Sequence, residues 1–267
     1  MPKIILGEWQ RHLSVIQNPA FMTQFFNPAG QKTLFIVGCD TEVGKTVTTS
    51  ALAAYWQRYY PHQSLGLMKL LQTGVGDDEH YQQLFGDIGH WEVITPLKFA
   101  TPVAPPIAAE REGKLIDLAV VWQTLQRLQR NHQRVLVEGL GSLGSPVTDE
   151  LTVADVAGLW RLDCLLVVPV KLGAIGQAIA QVALARQAKV ALKGLILSCG
   201  SPEAEAQVED WADPAMLERF TGLSVLGIIP YLTAADRHNL TKLAQVATSI
   251  NLASLAFFRD LPLALQA

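Results

Sequence analysis

Cysteine is scarce in this 267-residue chain. The three present, Cys39, Cys164 and Cys199, are odd in number and show neither a CxxC pair nor metal-finger spacing. That counts against a disulfide framework or a structural zinc site and fits reduced thiols in a cytosolic protein. Long apolar runs are also missing: none reaches the roughly 20 residues a membrane-spanning helix needs. Lys3, Glu8 and Arg11 stand where a signal peptide would carry its apolar stretch, so neither a membrane segment nor an export segment is expected. Basic residues are not in excess. With 21 Lys+Arg against 24 Asp+Glu the net charge is -3, which leaves no broad positive field for nucleic acid as an obligate partner. The six histidines are scattered without metal-ligand spacing. What is plentiful is hydrophobic residues, 49% of the chain, enough for one large core or at most two small ones.

That apolar content is patterned. Leu34-Phe-Ile-Val is a buried-strand run, followed by Gly38-Cys-Asp-Thr-Glu-Val-Gly44-Lys45-Thr46 and then a helical stretch through Leu52 and Trp56. Glycines let backbone N–H groups turn around phosphate oxygens, and the helix N-terminus adds its positive dipole end. Lys45 supplies a point charge and the Thr46 hydroxyl a magnesium ligand. The usual phosphate loop has four residues between its first glycine and GK. Here five stand between Gly38 and Gly44, so the loop is one residue longer.

Residues 1–30 precede the first strand and hold Trp9, Phe21, Phe25 and Phe26 without a clean period, which suggests an N-terminal extension ahead of a domain spanning 31–267. After the phosphate-loop helix the pattern predicts a strand near Ser64–Met68, a loop from Lys69 to Gly76 and a helix over Asp77–Phe85. The Pro-rich stretch Thr101–Pro106 reads as non-helical. Helix Leu115–Asn131, strand Arg134–Val137, helix Val153–Trp160 and strand Leu165–Val170 follow. A helix opened by Gly173 and running to about Lys189, strand Gly194–Leu197, helix Asp213–Phe220, strand Val225–Ile229 and a weaker helix over Leu243–Phe258 complete the walk. Short Val/Ile/Leu runs alternating with helices predict an α/β fold, a mostly parallel sheet covered by helices on both faces.

Ligands of such sheets collect at the carboxyl ends of the strands. Lys69, Gln72, Thr73 and Gly74 follow the second predicted strand: a cation and a hydroxyl in a tight loop, or a merely solvated lysine. Glu138 ends the Arg134–Val137 strand, where it either holds nucleotide-bound magnesium or caps the following loop. The turn Lys171-Leu-Gly173-Ala-Ile-Gly176 opens a second helix N-terminus that could hold an anion, and packing glycines explain it equally well.

Taken together, these residues resemble one family, dethiobiotin synthetase, the ATP-dependent cyclising ligase of biotin synthesis. GCDTEVGKTV at Gly38–Val47 is similar to that family's GTDTxVGKT, MKLLQTG at Met68–Gly74 to KPVQTG, VEGLGS at Val137–Ser142 to VEGAGG, and VKLGAIG at Val170–Gly176 to KLGCIN. PVAPP resembles its SPH loop, and LGIIPYL at Leu226–Leu232 adds to the match, which covers about Thr33 to Tyr231. The resemblance implies a single-domain phosphate-loop NTPase fold and an ATP-binding loop of Glu42, Val43, Gly44, Lys45, Thr46 and Val47. Glu138 and Ser198 would join the nucleotide site, Thr46, Asp77 and Glu138 would hold magnesium, and Asp78 adjoins the preferred Asp77. Lys45, Lys69 and Thr41 would be catalytic, with Thr41, Lys69, Thr73, Gly173, Ala174, Ile175 and Gly176 binding substrate. It also implies a cytoplasmic homodimer whose active site borrows the Gly173 turn of the partner subunit.

The implied reaction carboxylates 7,8-diaminopelargonate with carbon dioxide to a carbamate, phosphorylates the carbamate with ATP and closes the ureido ring. Such chemistry needs charge neutralisation and alignment rather than a covalent catalyst. The chain departs from the family pattern at Leu70 for proline, Pro106 for histidine, Gly176 for asparagine, and Ser198 where an asparagine often reads the adenine edge. Other readings are a partition-type (ParA/MinD-like) switch ATPase, for which the extra lysine and a basic or amphipathic anchor are missing, and a noncatalytic paralogue. A corrin amidotransferase relative would need a glutaminase domain for which the chain is too short.

Overall fold

Strand β1 (Thr33–Gly38) is buried at every position, because its alternate side chains enter two different cores. Phe35 and Val37 join Val135, Val137, Leu166 and Val168 on one face, while Leu34 and Ile36 join Leu65, Leu67, Leu165 and Val167 on the other. The computed structural model describes residues 32–259, and the expected N-terminal extension over 1–30 lies outside them.

Around β1 the chain adds β2 (Leu65–Lys69), β4 (Glu92–Ile94), β6 (Arg134–Glu138), β7 (Asp163–Pro169), β8 (Ala191–Ser198) and β9 (Val225–Ile229), with β3 (Gln72–Thr73) and β5 (Lys98–Phe99) apart. The seven main strands lie in the order β4-β2-β6-β1-β7-β8-β9, every pair parallel. The predicted parallel sheet is borne out. The register sets Lys69 of β2 beside Glu138 of β6, and Ile36 of β1 beside the same Glu138. The candidate residues therefore end neighbouring strands along one rim.

Ten α-helices lie among the described residues: α1 (Lys45–Tyr59), α2 (Asp77–Phe85), α3 (Pro105–Glu112), α4 (Leu118–Asn131), α5 (Val153–Leu159), α6 (Ala174–Gln187), α7 (Pro202–Ala206), α8 (Val208–Trp211), α9 (Pro214–Thr221) and α10 (Leu240–Ala247). Asp117 caps α4 by accepting from the Ala119 amide, and Thr152 with Asp155 forms a capping box on α5. Three expectations need correction. Pro105 and Pro106 start helix α3, since the first turn uses no amide hydrogens that proline lacks. The loop after Lys69 contains β3, paired with β5. The final helix stops at Ala247, where Thr248 and Ser249 hydroxyls donate back to the Gln245 and Val246 carbonyls. Two short 3-10 turns, Leu252–Ser254 and Ala256–Phe258, replace its remainder.

Those turns seat Phe257 and Phe258 against Trp56 of α1, with ring centroids 5.6 and 6.2 Å away. Arg134, at the start of β6, donates from Nε to the Phe257 carbonyl at 2.6 Å and from an NH2 group to the Arg259 carbonyl at 3.0 Å. The far end of the described chain is thus latched to the strand that carries Glu138.

Candidate active site

The phosphate loop is built by backbone that side chains normally resist. Glu42 has φ 54 and Gly44 has φ 93, both in the left-handed region. Gly44 is also obligatory on space, because a Cβ there would stand 2.1 Å from the Ser198 hydroxyl. Ser198, at the end of β8, is buried against the loop. Val43 is buried and Val47 packs on the core, which leaves their amides rather than their side chains for a ligand. Gly44 precedes α1 with no side-chain cap, so the helix presents its N-terminus to the loop.

Lys45 is buried and donates to the Asp40 carbonyl at 2.7 Å and the Gly141 carbonyl at 2.8 Å. Burial, helped by the nearby charge of Lys69, outweighs the attraction of Glu138 and lowers its pKa to about 8. Thr41 is exposed beside it; the Asp40 carboxylate accepts its amide at 2.8 Å.

Deeper in the rim, two carboxylates share one lysine. Lys69 Nζ lies 2.5 Å from Asp77 Oδ2 and 2.8 Å from Glu138 Oε1, and donates to the Gly139 carbonyl at 2.9 Å. Thr46 Oγ1 lies 2.9 Å from Asp77 Oδ1 and 3.0 Å from Glu138 Oε1. Burial alone would lower the Lys69 pKa, but the charges of Glu138 and Asp77 outweigh it and the pKa is raised. Burial would raise that of Asp77, and the Lys69 charge with the Lys69 and Thr46 hydrogen bonds reverses it, so the pKa is lowered. Asp78 faces elsewhere: it accepts from Thr95 Oγ1 at 2.7 Å, pairs with Lys98, and its amide donates to Gln72. Leu70, which departs from the family's proline, is fully buried in the core, and its amide donates to the Glu138 carbonyl at 2.8 Å.

Thr46, Lys69, Asp77 and Glu138 therefore form one network, with Lys45 held beside it on backbone carbonyls. Thr73 sits outside it, half-buried on β3 opposite Phe99. The Gly173–Gly176 turn is tied to the loop only loosely, by Lys171 Nζ standing 3.8 Å from Asp40 Oδ2. Gly173 has φ 88, and at both Gly173 and Gly176 the space a Cβ would fill is open. Sequence reasoning missed Asp40, which braces the loop, and Tyr81, whose hydroxyl donates to Glu138 Oε2. The spacing of four from Asp77 to Tyr81, one helical turn, is the signal that could have found the second. Among the described residues no group of three or more His, Cys, Asp or Glu forms a metal cluster, and no helix is long and apolar enough to cross a membrane.

A family model described as an AAA domain matches residues 32–239. The ATP-dependent dethiobiotin synthetase BioD of Synechocystis sp. is 69% identical over 237 residues, covering 89% of this chain and all of that protein. The protein of the same description from Gloeothece citriformis is 57% identical, covering 83% of this chain and 97% of its own. Among solved structures, a ParA family ATPase from Chlorobium tepidum superposes with a TM-score of 0.53 at 12% identity, covering 84% of this chain and 94% of that one. The Aquifex aeolicus MinC:MinD complex gives 0.53 at 13% identity, covering 88% and 98%. Those two likenesses speak for the fold alone. With a long phosphate loop facing a Lys69–Asp77–Glu138 cluster, and relatives this similar over this much of the sequence, the chain belongs to the dethiobiotin synthetase family.

Proposed function

We propose that the protein is an ATP-dependent dethiobiotin synthetase acting on 7,8-diaminopelargonate, carbon dioxide and ATP. The observation that carries this reading is the buried Lys69 held between Asp77 and Glu138 within reach of Thr46, on the rim that also bears Lys45. One amine of the diamine takes up carbon dioxide and releases a proton, giving a carbamate. A carbamate oxygen attacks the γ-phosphorus of ATP with ADP leaving, and the second amine then attacks the activated carbonyl and expels phosphate.

Each residue has a task in that sequence. Lys45 exchanges its two carbonyl acceptors for phosphate oxygens, and the amides of residues 42–47 line the phosphates. Lys69 stays charged and neutralises the carbamate. Thr41 and Thr73 orient the reacting ends, and Ser198 shapes the loop from below. Thr46, Asp77 and Glu138 would hold magnesium: their hard oxygens converge, and one or two carboxylates with substrate phosphates suit that ion. When bound, magnesium would screen the phosphate charge. An ADP-release assay with diamine, bicarbonate or magnesium omitted in turn tests the reading. Release should need all three, and diamine-independent release would overturn it in favour of a switch ATPase.

A homodimer with composite sites goes with this function. The outer face of helix α6 exposes Gly176, Ala180 and Ala183 before it ends in Arg186 and Gln187, and Leu172 just before the helix is 81% exposed. Such a face calls for a covering partner. Gly173, Ala174, Ile175 and Gly176 would then offer their amides to the substrate carboxylate held mainly by the other subunit. Two inactive variants, Lys45→Ala and Gly173→Trp, should on co-refolding form heterodimers with one doubly defective and one intact site. Activity should return to about half of wild type per heterodimer. Heterodimers isolated through two different tags but still inactive would show that the turn serves its own chain.

A further inference from the structure

Glu138 ends β6 with its side chain only 1% exposed, and three donors from three different elements surround its carboxylate. Thr46 of α1 and Lys69 of β2 both approach Oε1, the oxygen on the phosphate-loop side. Oε2 is taken by the Tyr81 hydroxyl alone among the hydrogen bonds to it. Tyr81 is itself 1% exposed and comes from α2 one turn after Asp77, so one helix face brings both side chains to the rim. Nothing in the ligase chemistry calls for a phenol, and the hydroxyl is a donor to Glu138 rather than an acceptor from it.

We infer that Tyr81 is a positioning residue that fixes the Glu138 carboxylate by its Oε2, so that Oε1 is the oxygen presented with Thr46 and Asp77 to a divalent cation. The inference rests on the reading of Glu138 as a magnesium holder. Fixing matters because a carboxylate on three rotatable bonds can turn either oxygen, or neither, toward the ion. Partners of this kind, one step removed from the metal, change its affinity about 10–100-fold when lost.

The test uses the full chain with a non-hydrolysable ATP analogue and Mn2+ as the probe, free ion being read by electron paramagnetic resonance. Tyr81→Phe keeps the ring and removes the hydroxyl. It should weaken Mn2+ binding about 10–100-fold, leave metal-free binding of the analogue within about twofold, and regain most of its turnover at raised magnesium. Glu138→Gln should weaken Mn2+ binding as well, and the double variant should be no worse than Glu138→Gln. Unchanged Mn2+ binding in Tyr81→Phe alongside weakened binding in Glu138→Gln would overturn the inference and leave Tyr81 a packing residue. Unchanged binding in Glu138→Gln would overturn the magnesium reading itself. Should Tyr81→Phe fold poorly, 3-fluorotyrosine at position 81 keeps ring and hydroxyl while making the latter a stronger donor. The Mn2+ constant should then move at least about twofold, and no movement would sink the inference.

Discussion

Lys45→Ala is expected to lower turnover about a hundredfold to a thousandfold, the scale for losing one preorganised group that meets developing charge. The side chain is well placed for that loss to be clean. Its ammonium rests on two backbone carbonyls, so removing it breaks no carboxylate pair. The pH dependence offers a second reading of the same group. With a pKa lowered to about 8, Lys45 of the free enzyme loses its charge as pH rises through 8, whereas bound phosphates favour the charged form. The KM for ATP should therefore climb above pH 8 in the wild type, and Lys45→Ala should show no such climb. A variant with near wild-type rate would refute the phosphate-loop assignment.

Lys69→Met should be damaging in a different way. It strands a buried carboxylate, Glu138, and a partly buried one, Asp77, without their shared cation. Breaking a buried pair by removing one partner costs about 3–5 kcal/mol, and at about 2–4 °C per kcal/mol for a chain of this size Tm should fall by roughly 6–20 °C. The sign with pH follows from the two shifts. Asp77 is held below its ordinary pKa, so its contribution is present above about 3.9 and fades as pH falls through the lower folded value. Lys69 is held above its own, so its contribution is present below about 10.4 and fades as pH rises through the higher folded value. The Tm gap between wild type and Lys69→Met should be widest between those limits and narrow in acid, as Asp77 takes up a proton. A gap independent of pH would contradict the cluster. Added magnesium should not restore turnover if, as proposed, the missing charge is the one that meets the carbamate.

Much of this architecture could be read from the residues, and the exceptions have physical causes. Buried runs such as Leu34–Val37 and Arg134–Val137 are long enough to register as strands, and Asp77–Phe85 was legible to the residue. Edge strand β4 has three half-buried residues, and β3 and β5 have two each, too few for any period to emerge. Pro105-Pro106 looked like a helix breaker because the sequence does not say which position of a turn a proline will take. Lys45, Thr46 and Glu138 could be found because motif and strand end coincide there. Asp77 could not be separated from Asp78 by spacing alone; the fold turns the first toward Thr46 and Lys69 and the second toward Thr95 and Lys98. Tyr81 was passed over although it stands one helical turn after Asp77, since a tyrosine in an amphipathic helix ordinarily reads as core.

The latch at Arg134 also bears on how the protein is made. Synthesis delivers the chain N-terminus first, so strand β6 leaves the ribosome more than a hundred residues before the Phe257 and Arg259 carbonyls that its arginine will engage. No main-sheet strand can wait in a hairpin meanwhile, since every pairing is parallel and spans a crossover. A nascent chain stalled before residue 257 would keep Trp56 and Arg134 short of the partners that close over them. The rim is encoded early, yet its supporting strand is secured by carbonyls more than a hundred residues further along, so the strand is complete well before its latch can close.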